Sequence, residues 1–173
     1  MTSLDRTADR VLEPLRTNRA TKRLFGIASH VGDFSVVWHV IGFTRAIGSM
    51  DRLQQAIALS LALGAESLVV NQGIKRIFRR ERPTVSGDHR FAVRTPRTSS
   101  FPSGHASSAV FAAILLSSFT GAPLAFVWFA VALVVALSRV VVRIHHLSDI
   151  IGGIVTGAVL GSVALPVVSS FVG

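Results

Sequence analysis

Long apolar blocks separated by shorter charged segments dominate the chain. The blocks cover residues 31–47, 53–70, 103–119, 122–141 and 148–168. Each block approaches the roughly 20 apolar residues that a helix needs to cross the hydrocarbon core of a bilayer. The pattern therefore predicts an all-α fold, an integral membrane helical bundle of about five transmembrane helices. No internal repeat interrupts it, so residues 1–173 are expected to form a single domain with the transmembrane bundle over 31–172.

The N-terminal segment, residues 1–29, follows a different pattern. Its apolar residues recur at helical spacing, while its arginines lie off that stripe. The stripe consists of Leu4, Ala8, Val11, Leu12 and Leu15. These positions predict an amphipathic interfacial helix that either lies on the membrane surface or packs against the rest of the protein. Pro14 is expected to kink or divide this helix.

Composition and charge narrow the classes of partner. Half of the residues are hydrophobic, which argues against an ordinary soluble domain, and the formal net charge is +9. The cations lie between apolar blocks without a nucleic-acid-binding motif. The membrane bilayer and anionic lipid headgroups or phosphates are therefore the expected partners, and nucleic acid is not. The chain has no cysteine, which excludes disulfide and thiol chemistry.

Two features lie within the apolar blocks. Glu66 is inside the second block, where a carboxyl group is expected either to pair with a cation near the site or to be protonated. The fifth block carries small residues on one helix face, a pattern that predicts close packing of membrane helices. These residues are Gly153, Gly157 and Gly161.

The most basic segment begins with residues 75–83, Lys-Arg-Ile-Phe-Arg-Arg-Glu-Arg-Pro, after the second apolar block. One interpretation is a positively charged loop that only fixes the orientation of the protein in the membrane. The other is a phosphate clamp, in which lysine supplies a point charge and arginine a bidentate fork.

The second cluster, residues 101–105, reads Phe-Pro-Ser-Gly-His at the start of the third predicted helix. Ser103 can cap the free amides there, and Gly104 lets a ligand approach the backbone. A helix N-terminus with its positive dipole end is an anion site. His105 lies beside that anion and can donate a proton, although a helix cap with an incidental histidine has the same sequence.

The third cluster, residues 138–149, lies between the fourth and fifth blocks. Arg139 supplies a further cation. His145 lies four residues before Asp149 and His146 three, so either ring can touch the carboxylate on a helix. Such a carboxylate fixes the tautomer of an imidazole and stabilises its charged form. Spacing alone leaves both histidines open as the nucleophile or base.

Counting the spans brings the three clusters together. The first two lie between the second and third helices and the last lies between the fourth and fifth, so all are on one membrane face. Their cations, helix N-terminus and histidines then match a phosphoryl group with a charge of about −1.5 to −2. Phosphoryl transfer needs charge neutralisation, an aligned nucleophile and a leaving-group acid, and all are present. No carboxylate cluster suggests a magnesium site, so no metal is expected.

In these clusters the chain closely resembles the type 2 phosphatidic acid phosphatase superfamily. The family signature joins a lysine, six residues and Arg-Pro to Pro-Ser-Gly-His and to Ser-Arg, five residues, His, three residues and Asp. The chain matches each part in order, with Lys75 and Arg82-Pro83, residues 102–105, and Ser138-Arg139 with His145 and Asp149. The family spacing selects His145 rather than His146 as the site histidine.

The resemblance implies a two-step phosphatase mechanism that uses neither metal nor cofactor. His145 would attack phosphorus and form a phosphohistidine, with Asp149 holding its imidazole. His105 would protonate the leaving alkoxide and then activate the hydrolytic water. The phosphoryl oxygens would be bound by Lys75, Arg82, Ser103, the Gly104 amide and Arg139.

The expected function is therefore that of an integral membrane phosphatase acting on a lipid phosphate. The open substrates are phosphatidic acid, phosphatidylglycerol phosphate, a polyprenyl (di)phosphate and a polyprenyl-linked sugar phosphate. The last is included because the short chain resembles, in size and composition, actinobacterial phosphatases of decaprenylphosphoryl phosphoribose. A vanadium haloperoxidase-like enzyme is an alternative, although those relatives are soluble, and a non-catalytic transporter or scaffold is another.

The charges of the loops predict the orientation in a bacterial cell membrane. The segment before the first span carries six Lys and Arg residues and the segment 75–97 carries eight. The opposite face has Arg45 and Arg52 in its first loop. The positive-inside rule then places the N-terminus and the site on the cytoplasmic face.

Overall fold

The structure, a computed structural model, describes residues 1–83, 90–91 and 98–172. It is a helical bundle, and the residues in these ranges form no β-strand. The helices are α1 (Ser3–Thr17), α2 (Arg19–Val31), α3 (Val36–Arg45), α4 (Met50–Leu68), α5 (Lys75–Ile77), α6 (Gly104–Thr120), α7 (Ala122–Val141) and α8 (Leu147–Val172). A 3₁₀ turn over Asp33–Ser35 joins α2 to α3, and a π-helical turn over Val69–Ile74 joins α4 to α5.

The helices that can span a membrane follow the predicted apolar blocks. By length and composition, three helices of the described chain qualify, namely Met50–Ile77, Ala122–Val141 and Leu147–Val172. The first of these contains both α4 and α5. The apolar helix α6 is shorter, with 17 residues, and α2 and α3 form a further apolar unit bent by 66°. Counting α6 and the bent unit gives the expected number of spans, in an all-α membrane bundle.

The first predicted span, residues 31–47, is not one straight helix. The chain breaks at Phe34 and Ser35, whose φ angles of 53° and 60° lie in the left-handed region that residues other than glycine rarely adopt. The helix after the break has ten residues. The predicted apolar segment therefore forms the second half of a bent unit with α2, and the sequence analysis did not predict the bend.

The core of the bundle surrounds α6. Apolar side chains from α3, α4, α6 and α7 meet there and are almost completely buried. They include Trp38, Leu59, Leu63, Phe111, Leu115 and Val135. The carboxyl group of Glu66 lies inside the bundle, and Ser107 donates a hydrogen bond to it.

Close packing of α8 against α6 fixes the relative positions of the two helix starts. A Cβ atom on Gly153 would lie 2.5 Å from the carbonyl oxygen of Ser103, and one on Gly157 would overlap the carbonyl oxygen of Ser107. Only glycine permits so close an approach of two helix backbones. The predicted small-residue face of the fifth span is therefore confirmed.

The N-terminal helix α1 docks on the bundle through its acidic residues. These residues recur every four positions and so form a stripe along one face of α1. The stripe faces arginines in the loops that follow α5 and α7. The pairs are Asp5 with Arg80 at 2.7 Å, Asp9 with Arg143 at 3.1 Å, and Glu13 with Arg90.

Arg16 closes the contact between α1 and α7. Its buried guanidinium donates hydrogen bonds to the carbonyl oxygens of Val140 and Val141, each at 3.0 Å. Those carbonyls lie in the last turn of α7, where the helix no longer supplies a full set of donors, and that of Val140 also accepts from the amide of Arg143 at 3.1 Å. The apolar stripe of α1 remains largely exposed at Leu4, Val11 and Leu15. Both interpretations of the amphipathic helix therefore describe part of it, since a polar face packs on the protein and an apolar face points outward.

Pro14 does not divide the N-terminal helix. α1 continues through Pro14 to Thr17, and the division comes at Asn18. The side chain of Asn18 accepts hydrogen bonds from the amides of Ala20 and Thr21 at 2.9 and 3.1 Å. An asparagine N-cap thus starts α2, and the expected break is displaced by four residues.

Candidate functional site

The centre of the site is the contact between Arg82 and His145. Arg82 Nη1 lies 3.1 Å from His145 Nε2, and both residues are almost fully buried. Because a guanidinium only donates hydrogen bonds, Nε2 is the accepting nitrogen and Nδ1 carries the proton of a neutral ring. The lone pair of His145 Nε2 therefore points at the cationic centre of the site.

Arg82 is held by main-chain oxygens from two loops. Its guanidinium donates to the carbonyls of Thr98 at 3.2 Å, Ser99 at 3.1 Å and Ile144 at 3.3 Å. Burial lowers the pKa of Arg82 to about 10, and nearby Asp149 opposes that shift. The guanidinium is therefore still charged at neutral pH and fixed in orientation.

Asp149 holds the other side of the His145 ring. Its Oδ2 lies 3.5 Å from His145 Nδ1 and accepts a hydrogen bond from the main-chain N–H of His146 at 2.8 Å. Its Oδ1 accepts a hydrogen bond from Arg80 at 2.7 Å. Asp149 lies in the first turn of α8, where the helix dipole favours negative charge. The carboxylate thus faces the ring of His145 and only the backbone of His146.

The environment of His145 favours a neutral ring. Burial lowers its pKa to about 3, and although Asp149 opposes this shift, the charges of Arg82 and Arg139 reinforce it. Burial also lowers the pKa of the less enclosed His146. A neutral imidazole keeps the Nε2 lone pair, which nucleophilic attack requires.

The turn between α7 and α8 folds His145 back onto Arg139. The main-chain carbonyl of Arg139 accepts hydrogen bonds from the amides of Ile144 at 3.0 Å and His145 at 3.1 Å. Arg143 reverses the chain with a φ of 58°, a strained value for a residue with a Cβ atom. The guanidinium of Arg139 is buried and donates a hydrogen bond to the hydroxyl of Ser29 on α2.

The start of α6 adds an anion-binding helix end to the site. Ser103 caps the helix as predicted, its Oγ accepting from the amide of Ala106 at 3.4 Å. The amide of Ser103 donates to the carbonyl of Asp149 at 3.0 Å, which ties α6 to α8. A Cβ atom on Gly104 would lie 3.4 Å from Lys75 Nζ. The buried ammonium of Lys75 therefore stands beside the free amides of α6.

His105 faces a carboxylate that no motif contains. Its Nε2 lies 3.0 Å from Oδ1 of Asp33, in the bend between α2 and α3. The same oxygen lies 3.9 Å from Arg139 Nη1. A Cβ atom on Gly32 would lie 2.7 Å from Cδ2 of His105, so the bend passes directly against the ring. Asp33 can thus stabilise a charged His105 imidazolium and fix the orientation of the ring.

The structure brings every predicted site residue into one connected group of contacts at one end of the bundle. The group contains Lys75, Arg82, Ser103, Gly104, His105, Arg139, His145 and Asp149. Within the described ranges, no three or more His, Cys, Asp or Glu side chains are placed to share a metal ion. The arrangement can bind a phosphoryl anion, attack it through a neutral imidazole and deliver a proton through a second imidazole.

Sequence reasoning did not assign a role to two charged residues that touch the site, Asp33 and Arg80. Asp33 has no motif signal, because its contact with His105 depends on the break between α2 and α3. Arg80 belongs to the basic segment but was not distinguished from its neighbours. Carboxylates every four residues along α1 predict a face that meets cations, but they do not select Arg80 among the arginines of the chain.

Sequence comparison relates the chain to membrane phosphatases. A family model described as the PAP2 superfamily matches residues 55–171. A decaprenylphosphoryl-5-phosphoribose phosphatase from Mycobacterium tuberculosis is 36% identical over 141 residues, which are 78% of this chain and 73% of that protein. The enzyme of the same name from Mycolicibacterium smegmatis is 37% identical over 131 residues, 72% of this chain and 67% of that protein.

Solved structures share the fold. The first transmembrane PAP2-type phosphatidylglycerolphosphate phosphatase from Bacillus subtilis superposes with a TM-score of 0.68 at 20% identity, covering 99% of this chain and 87% of the other. Aquifex aeolicus LpxE superposes with a TM-score of 0.71 at 20% identity, covering 91% of this chain and 93% of the other. At these identities the likeness concerns the arrangement of the helices.

Proposed function

Because the chain belongs to the PAP2 superfamily, we propose that it removes the terminal phosphate of a polyprenyl-linked sugar phosphate through a phosphohistidine intermediate. The observation that carries the proposal is the contact of His145 Nε2 with Arg82, opposite the contact of Nδ1 with Asp149. It supplies a neutral imidazole with a defined tautomer next to a fixed cation. Beside a helix N-terminus, that combination meets the requirements of nucleophilic attack on a phosphoryl group.

In the first step His145 Nε2 attacks phosphorus as the bond from phosphorus to the ester oxygen breaks. The substrate phosphate displaces the resting contact between Nε2 and Arg82. His105 gives a proton to the leaving alkoxide, so the alcohol departs neutral and the phosphoryl group remains on His145. Asp149 stabilises the positive charge that develops on the His145 ring.

In the second step water attacks the phosphohistidine. His105, now neutral, accepts a proton from the water as the new phosphorus–oxygen bond forms and the bond to Nε2 breaks. Inorganic phosphate leaves, and both histidines return to their starting protonation states. The contact of Asp33 with His105 Nε2 leaves Nδ1 as the ring atom that exchanges these protons.

The phosphoryl oxygens are neutralised by side chains and backbone amides. Lys75, Arg82 and Arg139 supply three formal positive charges against the charge of about −1.5 to −2 on a phosphomonoester. The amide of Gly104 and the hydroxyl of Ser103 add donors at the start of α6. Lysine and arginines thereby provide the charge stabilisation, and the proposed mechanism includes no metal ion.

The choice of substrate rests on the named relatives. Both decaprenylphosphoryl-5-phosphoribose phosphatases exceed one third identity over most of this chain. The exposed apolar side chains of α7 and α8 suit a lipid tail in the bilayer while its headgroup reaches the bundle end. They include Phe126, Leu133, Val155, Val159 and Val163.

Phosphate release from defined lipids tests the proposal. The purified protein in detergent is offered polyprenyl-linked 5-phosphoribose, polyprenyl phosphate, phosphatidylglycerol phosphate and phosphatidic acid. We expect the sugar phosphate to give the highest kcat/KM. His145→Ala should lose at least about 10³-fold in kcat, because the nucleophile is removed, whereas the neighbouring His146→Ala should retain activity.

Two results would contradict the proposal. Equal losses of kcat in His145→Ala and His146→Ala would contradict the assignment of His145 as the nucleophile. A higher kcat/KM for phosphatidic acid than for the sugar phosphate would contradict the proposed substrate preference. Acid-labile, base-stable phosphate on the wild-type protein, trapped from labelled substrate and missing in His145→Ala, would support the intermediate.

For location, we propose the bacterial plasma membrane with the site on the cytoplasmic face. The support is the basic residues of α1 and of the loop after α5, which lie at the same end of the bundle as the site. Single cysteines at exposed positions test it, with Glu81→Cys at the site end and Ile47→Cys at the other. In intact cells an impermeant maleimide should label Ile47→Cys only, and labelling of Glu81→Cys would place the site outside.

A further inference from the structure

Arg80 connects the catalytic carboxylate to the N-terminal helix. Its Nη1 donates to Oδ1 of Asp149 at 2.7 Å and to the hydroxyl of Ser148 at 2.7 Å. Its Nη2 donates to Oδ2 of Asp5 at 2.7 Å. The side chains of Asp5 and Asp149 are fully buried, and that of Arg80 is 24% exposed. One guanidinium therefore bridges two buried carboxylates, of which one faces His145.

The carboxylate of Asp5 is buried and accepts hydrogen bonds from two main-chain amides. Its carboxylate accepts hydrogen bonds from the amide of Thr2 at 2.9 Å and from the amide of Ser148 at 3.0 Å. Burial raises the pKa of Asp5, but the hydrogen bonds from Thr2 and Ser148 outweigh it and hold the pKa well below its usual value. Asp5 is therefore ionised and contacts both Arg80 and the start of α8.

The backbone of Arg80 is also fixed. Its amide donates to the hydroxyl of Ser99 at 3.2 Å, and its carbonyl accepts from the amide of Ser100 at 2.9 Å. Hydrogen bonds thus fix the main chain of Arg80 while its guanidinium contacts the two carboxylates. Three groups occupy the oxygens of Asp149, namely Arg80 on Oδ1 and, on Oδ2, the His146 amide and the His145 ring.

We propose that Asp5 and Arg80 are positioning residues for catalysis, which hold Asp149 against His145 and make α1 part of the active assembly. The proposal rests on the phosphatase mechanism given above. The docking of the amphipathic helix α1 thereby controls the position of Asp149 and the orientation of the nucleophile His145. The outward apolar face of α1, with Val11 68% exposed, places this control at the membrane surface.

Kinetics of charge-neutral variants test the positioning role. Using the full-length protein and polyprenyl-linked 5-phosphoribose, Arg80→Gln and Asp5→Asn should each lower kcat roughly tenfold and change KM less than about twofold. The double variant should also lose roughly tenfold, because residues that act through one contact chain are not additive. Arg80→Lys should recover part of the loss, since the ammonium keeps one of the two contacts.

A matched control separates positioning from simple docking of α1. Glu13→Gln removes the same charge from the same helix and weakens the ion pairs with Arg16 and Arg90. Among the described contacts, Asp149 is paired with Arg80 and His145 and not with either of those arginines. It should keep kcat within about twofold of wild type. Equal losses in Glu13→Gln and Asp5→Asn, or a double variant whose loss is the product of the single losses, would overturn the proposal.

If none of the four lipids is hydrolysed, that result contradicts the proposed phosphatase function but not the positioning role of Asp5 and Arg80. A measurement that needs no turnover then tests the positioning role. The ring of His145 faces Asp149, Arg82 and Arg139. Arg80→Gln removes the cation that lies 2.7 Å from Oδ1 of Asp149 and so should raise the pKa of His145 relative to the wild-type protein. Nitrogen NMR of the histidine rings measures this, and an unchanged His145 midpoint in Arg80→Gln would overturn the positioning role.

Discussion

The two histidines of the site each face a carboxylate, but the carboxylates are held in different ways. Asp149 lies 3.5 Å from His145, comes from the same turn of chain and has a fully buried side chain. Asp33 lies 3.0 Å from His105, comes from the bend between α2 and α3 and has a side chain that is 21% exposed. The first pair depends on local structure at the start of α8, and the second on how distant helices pack.

This difference suits the two chemical roles that we propose. The nucleophile must keep one tautomer and one direction through the reaction, and Asp149 is held from several sides by Arg80, the His146 amide and the α8 N-terminus. The proton-transfer histidine must change its charge twice in each turnover. A carboxylate that is closer and partly solvated stabilises the charged form without being confined from every side.

The largest effect is expected from Asp149→Asn. The substitution removes the charge that faces His145 Nδ1 and that anchors Arg80. An amide can also present its NH₂ group to Nδ1 and favour the wrong tautomer. We expect kcat to fall by about 10³–10⁴-fold, equally for an alkyl phosphate and for p-nitrophenyl phosphate, because the attack itself is impaired.

The control is the melting temperature in detergent, which should identify any loss caused by unfolding. Asp51→Asn is the matched variant, with an aspartate in the first turn of α4 at the other end of the bundle. It should leave kcat unchanged. A loss below about tenfold in a folded Asp149→Asn protein would show that His145 needs no orienting carboxylate.

The sequence indicated the contact between His145 and Asp149 but not the contact between His105 and Asp33. The short spacing from His145 to Asp149 indicated their contact, although the spacing alone left His146 open and the family pattern selected His145. The helix start at Ser103 followed from its capping side chain. Lys75 and Arg82 required the span count and the family pattern as well. The contact of Asp33 with His105 depends on the bend between α2 and α3 lying against the start of α6, and no local spacing encodes that.

The same limit applies to the fold. Apolar blocks predicted α4, α6, α7 and α8 because each is a continuous apolar segment of 17 residues or more. The break at Phe34 and Ser35 was missed because hydropathy averaged over a window conceals left-handed residues inside an apolar block. The acidic stripe of α1 was visible in the sequence, but its arginine partners lie in loops that only the folded bundle brings near.

A smaller and more selective effect is expected from Asp33→Asn. The variant loses the charge that supports a protonated His105, and kcat for an alkyl phosphate should fall by about 10- to 100-fold, within the range of general acid catalysis. Hydrolysis of p-nitrophenyl phosphate should fall less, because its leaving group departs with little help from an acid. The ratio of the kcat losses for the two substrates therefore distinguishes the Asp33–His105 pair from the Asp149–His145 pair.

Equal losses for both substrates in Asp33→Asn would contradict that distinction. The result would indicate that Asp33 acts on bond formation, through its 3.9 Å contact with Arg139, rather than through His105. Asp33→Glu sharpens the comparison. It keeps the charge but lengthens the side chain, so it should restore the alkyl phosphate activity only if charge rather than exact position governs His105.

The smallest effect is expected from Gly32→Ala, which leaves every charge in place and changes only the space beside His105. The new Cβ atom would lie 2.7 Å from His105 Cδ2 and 3.0 Å from Val135, although the backbone at φ −76° and ψ −18° accepts alanine. The ring should shift, and kcat for an alkyl phosphate should fall on the order of three- to tenfold. In Gly26→Ala, within α2, the new Cβ atom meets no atom within 4 Å, and the substitution should stabilise the helix by about 0.5–1 kcal/mol with unchanged kcat. Equal kcat values for the two alanine variants would show that the position of His105 is not set by the α2–α3 bend.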